Sequence, residues 1–179
     1  MTPEKCEREV ERMAQSSAIV RFMIEKLGQA GCAIDARFFR VETCSASVVG
    51  GFRPPDGVVV CHNHINDATT MENALAHELI HAYDHCRAAG KMDWLDLRQH
   101  ACSEIRAANL SGDCHWVNEL MRGRVFFSIK KHHQACVRRR AELSVAMNPK
   151  CRDAKHAHEV VNEVFERCFR DTAPYDDIP

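Results

Sequence analysis

The chain has 179 residues, a formal net charge of −1 at pH 7, and apolar side chains at 45% of its positions. This length and composition suit a soluble domain with a real core, and the near-zero charge gives no global field that would favour nucleic acid or an anionic membrane. No apolar run approaches the roughly 20 residues that span a bilayer.

The N-terminal sequence, MTPEKCEREVERM, carries charges of both signs from its start. It lacks the apolar core of a secretory signal and the acid-poor character of a mitochondrial transit peptide. We therefore expect a protein that stays in the cytosol, or that reaches another compartment without a cleaved N-terminal signal. Residues 4–27 are predicted to form one helix, because Pro3 stands near its start and Gly28 and Gly31 follow it.

Three short segments of β character come next. Residues 38–41 and 48–49 predict two strands, the second ended by Gly50 and Gly51, and residues 58–61 predict a third strand after the turn at 54–57. The rest of the chain is predicted to be helical, over about 68–90, 94–110, 118–129, 133–147 and 153–170, with Asp67 as the cap of the first of these helices. The tail from 171 to 179 is polar and expected to be loose.

This order of elements predicts an α+β fold with a small sheet in the N-terminal half, followed by several helices. The first of these helices carries His-Glu-x-x-His at residues 77–81, a motif of zinc peptidases, so it is the expected active-site helix. We expect one zincin-like metallopeptidase domain over residues 1–179. It comprises an N-terminal helix at about 4–27, a catalytic core at about 36–127 and a C-terminal helical part at about 133–170.

The stretch NALAHELIHAYDHC, residues 73–86, contains the motif His-Glu-x-x-His. On a helix, His77 and His81 lie on one face and can bind the same metal ion, and neutral imidazole is a good zinc ligand. Glu78 lies beside them, where it could act as the general base on a water that the zinc activates. The competing interpretation is a helix with surface histidines, but an apolar stripe on another face favours a helix that packs against a core. This stripe comprises Leu75, Leu79, Ala82 and Cys86.

A catalytic zinc site normally has three protein ligands, so one more is needed. Glu104 fits best, because it resembles one zincin arrangement in which the third ligand is a glutamate on a following helix, with a small residue, here Ala107, three positions on. His85 is a poor candidate, because it lies two turns from His77, about 12 Å along the axis, so His77, His81 and His85 cannot all bind one ion. His100, Asp93 and Asp96 are further candidates for the third ligand, and His62 and His64 could contribute only if their loop folds back.

Two further parts of the predicted site stay open. The strand at 58–61 is either an edge strand that pairs with an extended substrate or an ordinary internal strand. Tyr83 or His115 could stabilise the oxyanion of the reaction, and His115 and Trp116 could overhang the cleft, but a core or surface role is favoured for these residues.

The ten cysteines are spread along the whole chain and include no C-x-x-C pair, which argues against a zinc ribbon or a thioredoxin-type motif. Wide and even spacing favours long-range disulfides, five if all the cysteines are paired, and hence an oxidising compartment. The competing interpretation is that they are small buried apolar residues in a reducing cytosol. The mitochondrial intermembrane space would suit both the cysteines and the N-terminus. The cysteines are Cys6, Cys32, Cys44, Cys61, Cys86, Cys102, Cys114, Cys136, Cys151 and Cys168.

Three segments together resemble the mitochondrial inner membrane metalloprotease family Atp-twenty-three: HELIHAYDHCR, the following DWLDLRQHACSEIRAANLSGDC, and the preceding GGFRPPDGVVVCHN. The resemblance runs from about Cys44 to Cys168. It implies a zinc peptidase of the intermembrane space, peripheral to the inner membrane and held by disulfides. It also implies that His77 and His81 are ligands and Glu78 the catalytic base, while Glu104 depends mainly on its spacing.

In yeasts this family removes the leader of an ATP synthase membrane-sector subunit and assists the assembly of that sector, so the resemblance implies the subunit or its precursor as partner. A second possible function is that of a non-proteolytic assembly factor, or chaperone, with a structural metal site. A third is that of a nuclear or cytosolic interaction partner with reduced cysteines, including one linked to DNA repair, as relatives in other lineages are. No direct nucleic acid binding is expected. The intact Glu78 favours the peptidase, because a scaffold needs no general base there.

Overall fold

The computed structural model describes residues 1–32, 34–35, 37–45, 48–115 and 129–179, with side chains only from 132 onwards in the last range. The described chain divides into two compact units, Met1–Lys91 and Met92–Pro179. The assignment of residues 1–179 to a single metallopeptidase domain stays a prediction.

The first unit begins with two helices, α1 at Pro3–Ser16 and α2 at Ala18–Gln29. The prediction of one helix over 4–27 was therefore wrong at its middle. Ser17 is extended, with φ −73° and ψ 126°, and its hydroxyl accepts a hydrogen bond from the backbone N–H of Val20. A serine in this conformation satisfies an N–H that the helix itself leaves open, so it begins a second helix.

A three-stranded sheet follows, with strands β1 at Phe39–Glu42, β2 at Gly50–Arg53 and β3 at Gly57–Cys61. The order is β1-β3-β2, with β1 parallel and β2 antiparallel to β3. The second strand begins at the glycine pair, where the sequence had predicted that it ends. Gly57 has φ +105°, and a β-carbon there would overlap the carbonyl oxygen of Phe38, so this position needs glycine.

Helix α3, Ala68–Arg87, packs against α2, β2 and β3. It begins where the sequence predicted, since the Asp67 carboxylate accepts from the backbone N–H and the hydroxyl of Thr70. The predicted apolar stripe of α3 is buried, and Leu75 and Leu79 are fully covered. The helix ends at a turn in which Ala89 and Gly90 have positive φ.

The second unit contains α4 at Leu97–Leu110, α5 at Ile129–Ala146 and α6 at Ala154–Arg170, and each of these helices packs against the other two. Its core includes Ile105, Val137 and Phe165, all fully buried. The sequence placed the start of α4 three residues too early, because Asp96 rather than a residue near Trp94 caps it. The helix predicted at 118–129 lies outside the described residues except for its last residue.

The C-terminal tail is held rather than loose, at least around Asp171. The guanidinium of Arg106, which is fully buried, lies 2.6 Å from an Asp171 carboxylate oxygen and donates to the carbonyl oxygens of Asp171 and Ala173. A buried guanidinium requires such partners, so the tail is part of the second unit.

Eight of the ten cysteines form four disulfides, and the pairing stays within each unit. They are Cys32–Cys86 and Cys44–Cys61 in the first unit, and Cys102–Cys168 and Cys114–Cys136 in the second. Cys6, buried, and Cys151, half-buried, are free thiols. The expectation of long-range disulfides is therefore confirmed, with four disulfides rather than the five that ten paired cysteines would form.

None of the helices in the described part of the chain is long and apolar enough to cross a membrane.

Candidate metal centre

The two motif histidines lie on consecutive turns of α3 with their rings close together. The ring centroids of His77 and His81 are 4.8 Å apart and their planes are inclined by 79°. His81 is only 5% exposed, whereas His77 is half-buried. Because α3 is capped at one end and buried along its apolar stripe, the helix holds both imidazoles in a fixed relation.

The carboxylate between these histidines lies against the sheet. Glu78 is 7% exposed, and a β-carbon built on Gly50 would lie 3.7 Å from its Cγ and 3.9 Å from its Oε1. The same β-carbon would lie 2.8 Å from the carbonyl oxygen of Val59, closer than real contacts of this kind. Gly50 thus leaves the space in which Glu78 and β3 approach each other. The Gly-Gly pair was a signal for this position in the sequence, but we interpreted it as the end of a strand.

The strand predicted to receive a substrate, residues 58–61, is the central strand of the sheet and is fully paired between β1 and β2. The interpretation of β3 as an internal strand was the right one. Strand β2 is instead an outer strand, next to α3. The N–H of Cys61 donates to the carbonyl oxygen of Val49 at 3.0 Å, and in an antiparallel ladder such bonds alternate along the strand. The main-chain groups of Gly50 therefore point away from β3.

His85 lies one turn beyond His81 on α3, and its ring stands against that of Phe52 with centroids 5.7 Å apart. Burial lowers the pKa of His85 below its usual value. The other early histidines have local partners in the structure. His62 bonds the Thr43 hydroxyl and the carbonyl oxygen of Met1, and His64 lies 3.3 Å from the Cys44 carbonyl oxygen.

Glu104 lies on α4, in the second unit, and is 6% exposed. His100, one turn earlier, is 3.2 Å from a Glu104 oxygen through Nε2, and its Nδ1 is 2.9 Å from Nδ2 of Asn148. An amide nitrogen only donates, so Nδ1 accepts and Nε2 carries the hydrogen that is donated to Glu104. His100 therefore orients this carboxylate, in the manner of the outer residues that orient metal ligands.

The remaining candidates for the site have other roles where the structure describes them. Asp96 caps α4, and the Asp93 carboxylate accepts from the backbone N–H of Leu95. The guanidinium of Arg87 lies over the Tyr83 ring, with Cζ 5.9 Å from the ring centroid. His115 is exposed, and Trp116 lies outside the described residues. The structure tests none of these as an oxyanion group, and that interpretation stays a prediction.

Comparison with known proteins agrees with these motifs. Relatives named "mitochondrial inner membrane protease atp23" occur in several fungi. The one from Coccidioides immitis is 46% identical over 98% of this chain and 73% of its own length. The one from Neosartorya fischeri is 44% identical with the same coverage, and that from Yarrowia lipolytica is 43% identical over 97% of this chain and 68% of its own length.

No solved structure matches the chain significantly. The model of the Peptidase M76 family, a family of metallopeptidases, matches residues 4–176. The match covers almost the whole sequence and includes both units. The chain is therefore a member of the Peptidase M76 family.

Proposed function

We propose that this protein is a zinc-dependent endopeptidase in which His77, His81 and Glu104 hold the ion and Glu78 is the general base. The observation that carries the proposal is the pair of neighbouring imidazoles on α3 with a buried glutamate between them in sequence. Two histidines and one carboxylate are a donor set that suits catalytic zinc. Support for Glu104 comes from its burial and from its orientation by His100 on the same helix.

When bound, the zinc ion would supply a Lewis acid that lowers the pKa of a water and polarises the substrate carbonyl. Glu78 would accept the proton of the attacking water and then donate it to the leaving amine. Its burial beside Gly50 restricts where its carboxylate can go. A fixed base of this kind makes proton transfer efficient, because the geometry is set before the substrate arrives.

We further propose that the outer strand β2 aligns the substrate. Its main-chain groups at Gly50 point away from β3, and an extended peptide can add to such a strand by backbone hydrogen bonds. The scissile bond would then lie next to Gly50, within reach of Glu78. The sequence left this role open for residues 58–61. Because β3 lies inside the sheet, we propose the role for β2 instead.

The cellular setting is proposed from the relatives and from the disulfides. The relatives are named as mitochondrial inner membrane proteases, and four disulfides suit an oxidising compartment. We place the protein in the intermembrane space, peripheral to the inner membrane. On the family resemblance, its substrate would be an ATP synthase membrane-sector subunit or the precursor of that subunit.

The ligand assignment is tested by zinc content. His77→Ala and His81→Ala should each lose the bound ion, and Glu104→Ala should bind it more weakly. The matched control is His62→Ala, which removes a histidine that bonds Thr43 instead. Native mass spectrometry counts the ions. Full zinc binding by His77→Ala and His81→Ala would contradict the centre, and full binding by Glu104→Ala alone would contradict only the third ligand.

The substrate assignment needs its own experiment, in mitochondria that lack the endogenous protein. The wild-type chain should restore maturation of the ATP synthase subunit precursor, and Glu78→Gln should leave the precursor uncut. If the wild type does not restore maturation, another protein is the substrate. Equal restoration by Glu78→Gln would show instead that this maturation does not need Glu78. Assembly of the synthase with Glu78→Gln would show an additional, non-proteolytic role.

A further inference from the structure

A second contact between β2 and α3 lies beside the Gly50–Glu78 approach. The side chain of Phe52 stands against His85, with ring centroids 5.7 Å apart and planes inclined by 59°. Both residues are half-buried. Neither has a role in the metal centre, and neither was singled out as a substrate contact by the sequence.

The two contacts are related by the geometry of the strand. Gly50 and Phe52 are two positions apart, so they face the same side of the sheet, about 6.8 Å from each other along the strand. Both face α3, since Gly50 approaches Glu78 and Phe52 approaches His85. A peptide paired with β2 would therefore meet the catalytic glutamate opposite Gly50 and the two rings opposite Phe52.

Residues directly opposite in neighbouring strands point to the same face, with their β-carbons about 5 Å apart. A substrate side chain opposite Phe52 would thus be directed towards α3, onto the ring of Phe52 and the imidazole of His85. The turn after α3 lies nearby, because a β-carbon on Gly90 would be 3.7 Å from Nε2 of His85.

Phe52 and His85 present two aromatic rings to a side chain in this position. Burial lowers the pKa of His85 below its usual value, which favours the neutral imidazole over the charged form that would attract an acidic side chain. A phenyl ring beside a neutral imidazole favours apolar or aromatic groups, which bury area against both rings.

We propose that Phe52 and His85 form a specificity subsite for an apolar or aromatic substrate side chain, two residues from the cleaved bond. This inference rests on the proposed peptidase function, which it extends to a class of substrate sequence. Phe52 and His85 contact substrate in this scheme but take no part in the bond-breaking step.

The test uses the zinc-loaded full chain and peptides that differ at one position. Mass spectrometry of a mixed peptide pool first gives the cleaved bond. Peptides with Leu, Phe or Asp two residues from that bond, on either side, are then compared. We expect kcat/KM at one of these positions to be at least about tenfold higher for Leu and Phe than for Asp. Phe52→Ala should reduce this ratio to below about threefold, chiefly by lowering kcat/KM for the apolar peptides.

Arg53→Ala is the matched control, because its side chain points to the other face and pairs with Glu42 at 3.6 Å. It should keep the wild-type ratio, and His85→Phe should keep the apolar preference. Equal kcat/KM for the Leu, Phe and Asp peptides, or a ratio unchanged in Phe52→Ala, would overturn the subsite while leaving the peptidase intact.

If no peptide is cleaved, a measurement of peptide binding tests this inference separately from the proposed function. The proposed peptidase activity would then have failed, and the same peptides would be titrated into the zinc-loaded protein by fluorescence anisotropy. Binding at least about tenfold tighter for Leu than for Asp, lost in Phe52→Ala, would support the subsite. Equal binding of the Leu and Asp peptides, or no binding of either, would overturn it.

Discussion

Gly50 on β2 and Glu78 on α3 lie so close that a single β-carbon on the glycine would fill the space between them, 3.7 Å from Cγ of Glu78. This relation connects the sheet to the proposed catalytic base. It also makes β2, and not only the apolar strand β3 that precedes α3 in the chain, a neighbour of the proposed base.

Gly50→Ala should therefore reduce peptidase activity. The new β-carbon would lie 2.8 Å from the Val59 carbonyl oxygen, so β2 must shift, and a shift of about 1 Å at a catalytic group can lower turnover about a hundredfold. The loss should appear in kcat rather than in zinc content. Gly51→Ala is the control, because a β-carbon there meets nothing within 4 Å. Equal kcat in the two variants would show that Gly50 does not position Glu78.

The four disulfides and two free thiols predict the mass of the oxidised protein and the reactivity of its cysteines towards alkylation. The oxidised chain should be eight hydrogens lighter than the reduced chain, two for each of four disulfides. Alkylation of the native protein should modify Cys151, which is half-buried, and not Cys6, which is fully buried and whose pKa burial raises. Intact mass before and after alkylation measures both. A loss of ten hydrogens would show a fifth disulfide and contradict the two free thiols.

The buried Arg106 should be sensitive to loss of its carboxylate. Asp171→Ala should destabilise the protein by about 3 kcal/mol, because it removes a charge partner from a guanidinium that has no exposed surface. Urea unfolding measures the change. Glu163→Ala removes the partner of Arg98 on the surface, where both side chains are more than half exposed, and should leave the midpoint unchanged. If the unfolding midpoint of Asp171→Ala equals that of the wild type, the Arg106–Asp171 ion pair does not stabilise the protein.

Stability should fall in mild acid, in part through His133. Burial is the largest cause that lowers the pKa of this histidine, which lies between the Cys114 carbonyl oxygen and the Asn109 amide oxygen. The unfolded chain, with the pKa at its usual value of about 6.5, then takes up a proton first. Unfolding thus becomes easier as the pH falls from about 6.5 towards the lower folded-state pKa.

Thermal unfolding of the wild type and of His133→Gln at pH 7.5 and 5.5 measures this contribution. The wild type should lose more stability between the two pH values than the variant does. An identical difference in the two proteins would show that His133 does not contribute.

Local patterns were enough to predict the centre of the first unit. The cap at Asp67, the apolar stripe and the positions of His77 and His81 all follow from helical spacing, and the structure confirms the cap and the stripe. Such features depend on residues within a few turns of each other, so one sequence contains the information.

Relations between distant segments were harder to predict. The order β1-β3-β2 depends on pairing between strands, so periodicity within β3 did not show that it lies inside the sheet. The burial of Arg106 had no local signal, because arginine is almost never fully buried. Its burial depends on Asp171, which lies 65 positions further along the chain. The break at Ser17 had a local signal, a serine ahead of an apolar run, that the longer helical pattern concealed.

If this M76 family member cleaves peptide bonds with Glu78 as its base, removing that carboxylate must stop the chemistry and leave the metal in place. The most direct test is the rate at which the zinc-loaded Glu78→Gln variant cleaves a peptide that the wild type cleaves. We predict a full complement of zinc in the variant and a fall in kcat of at least about a hundredfold, since general base catalysis contributes that much or more. Wild-type turnover by zinc-loaded Glu78→Gln would contradict this role of Glu78.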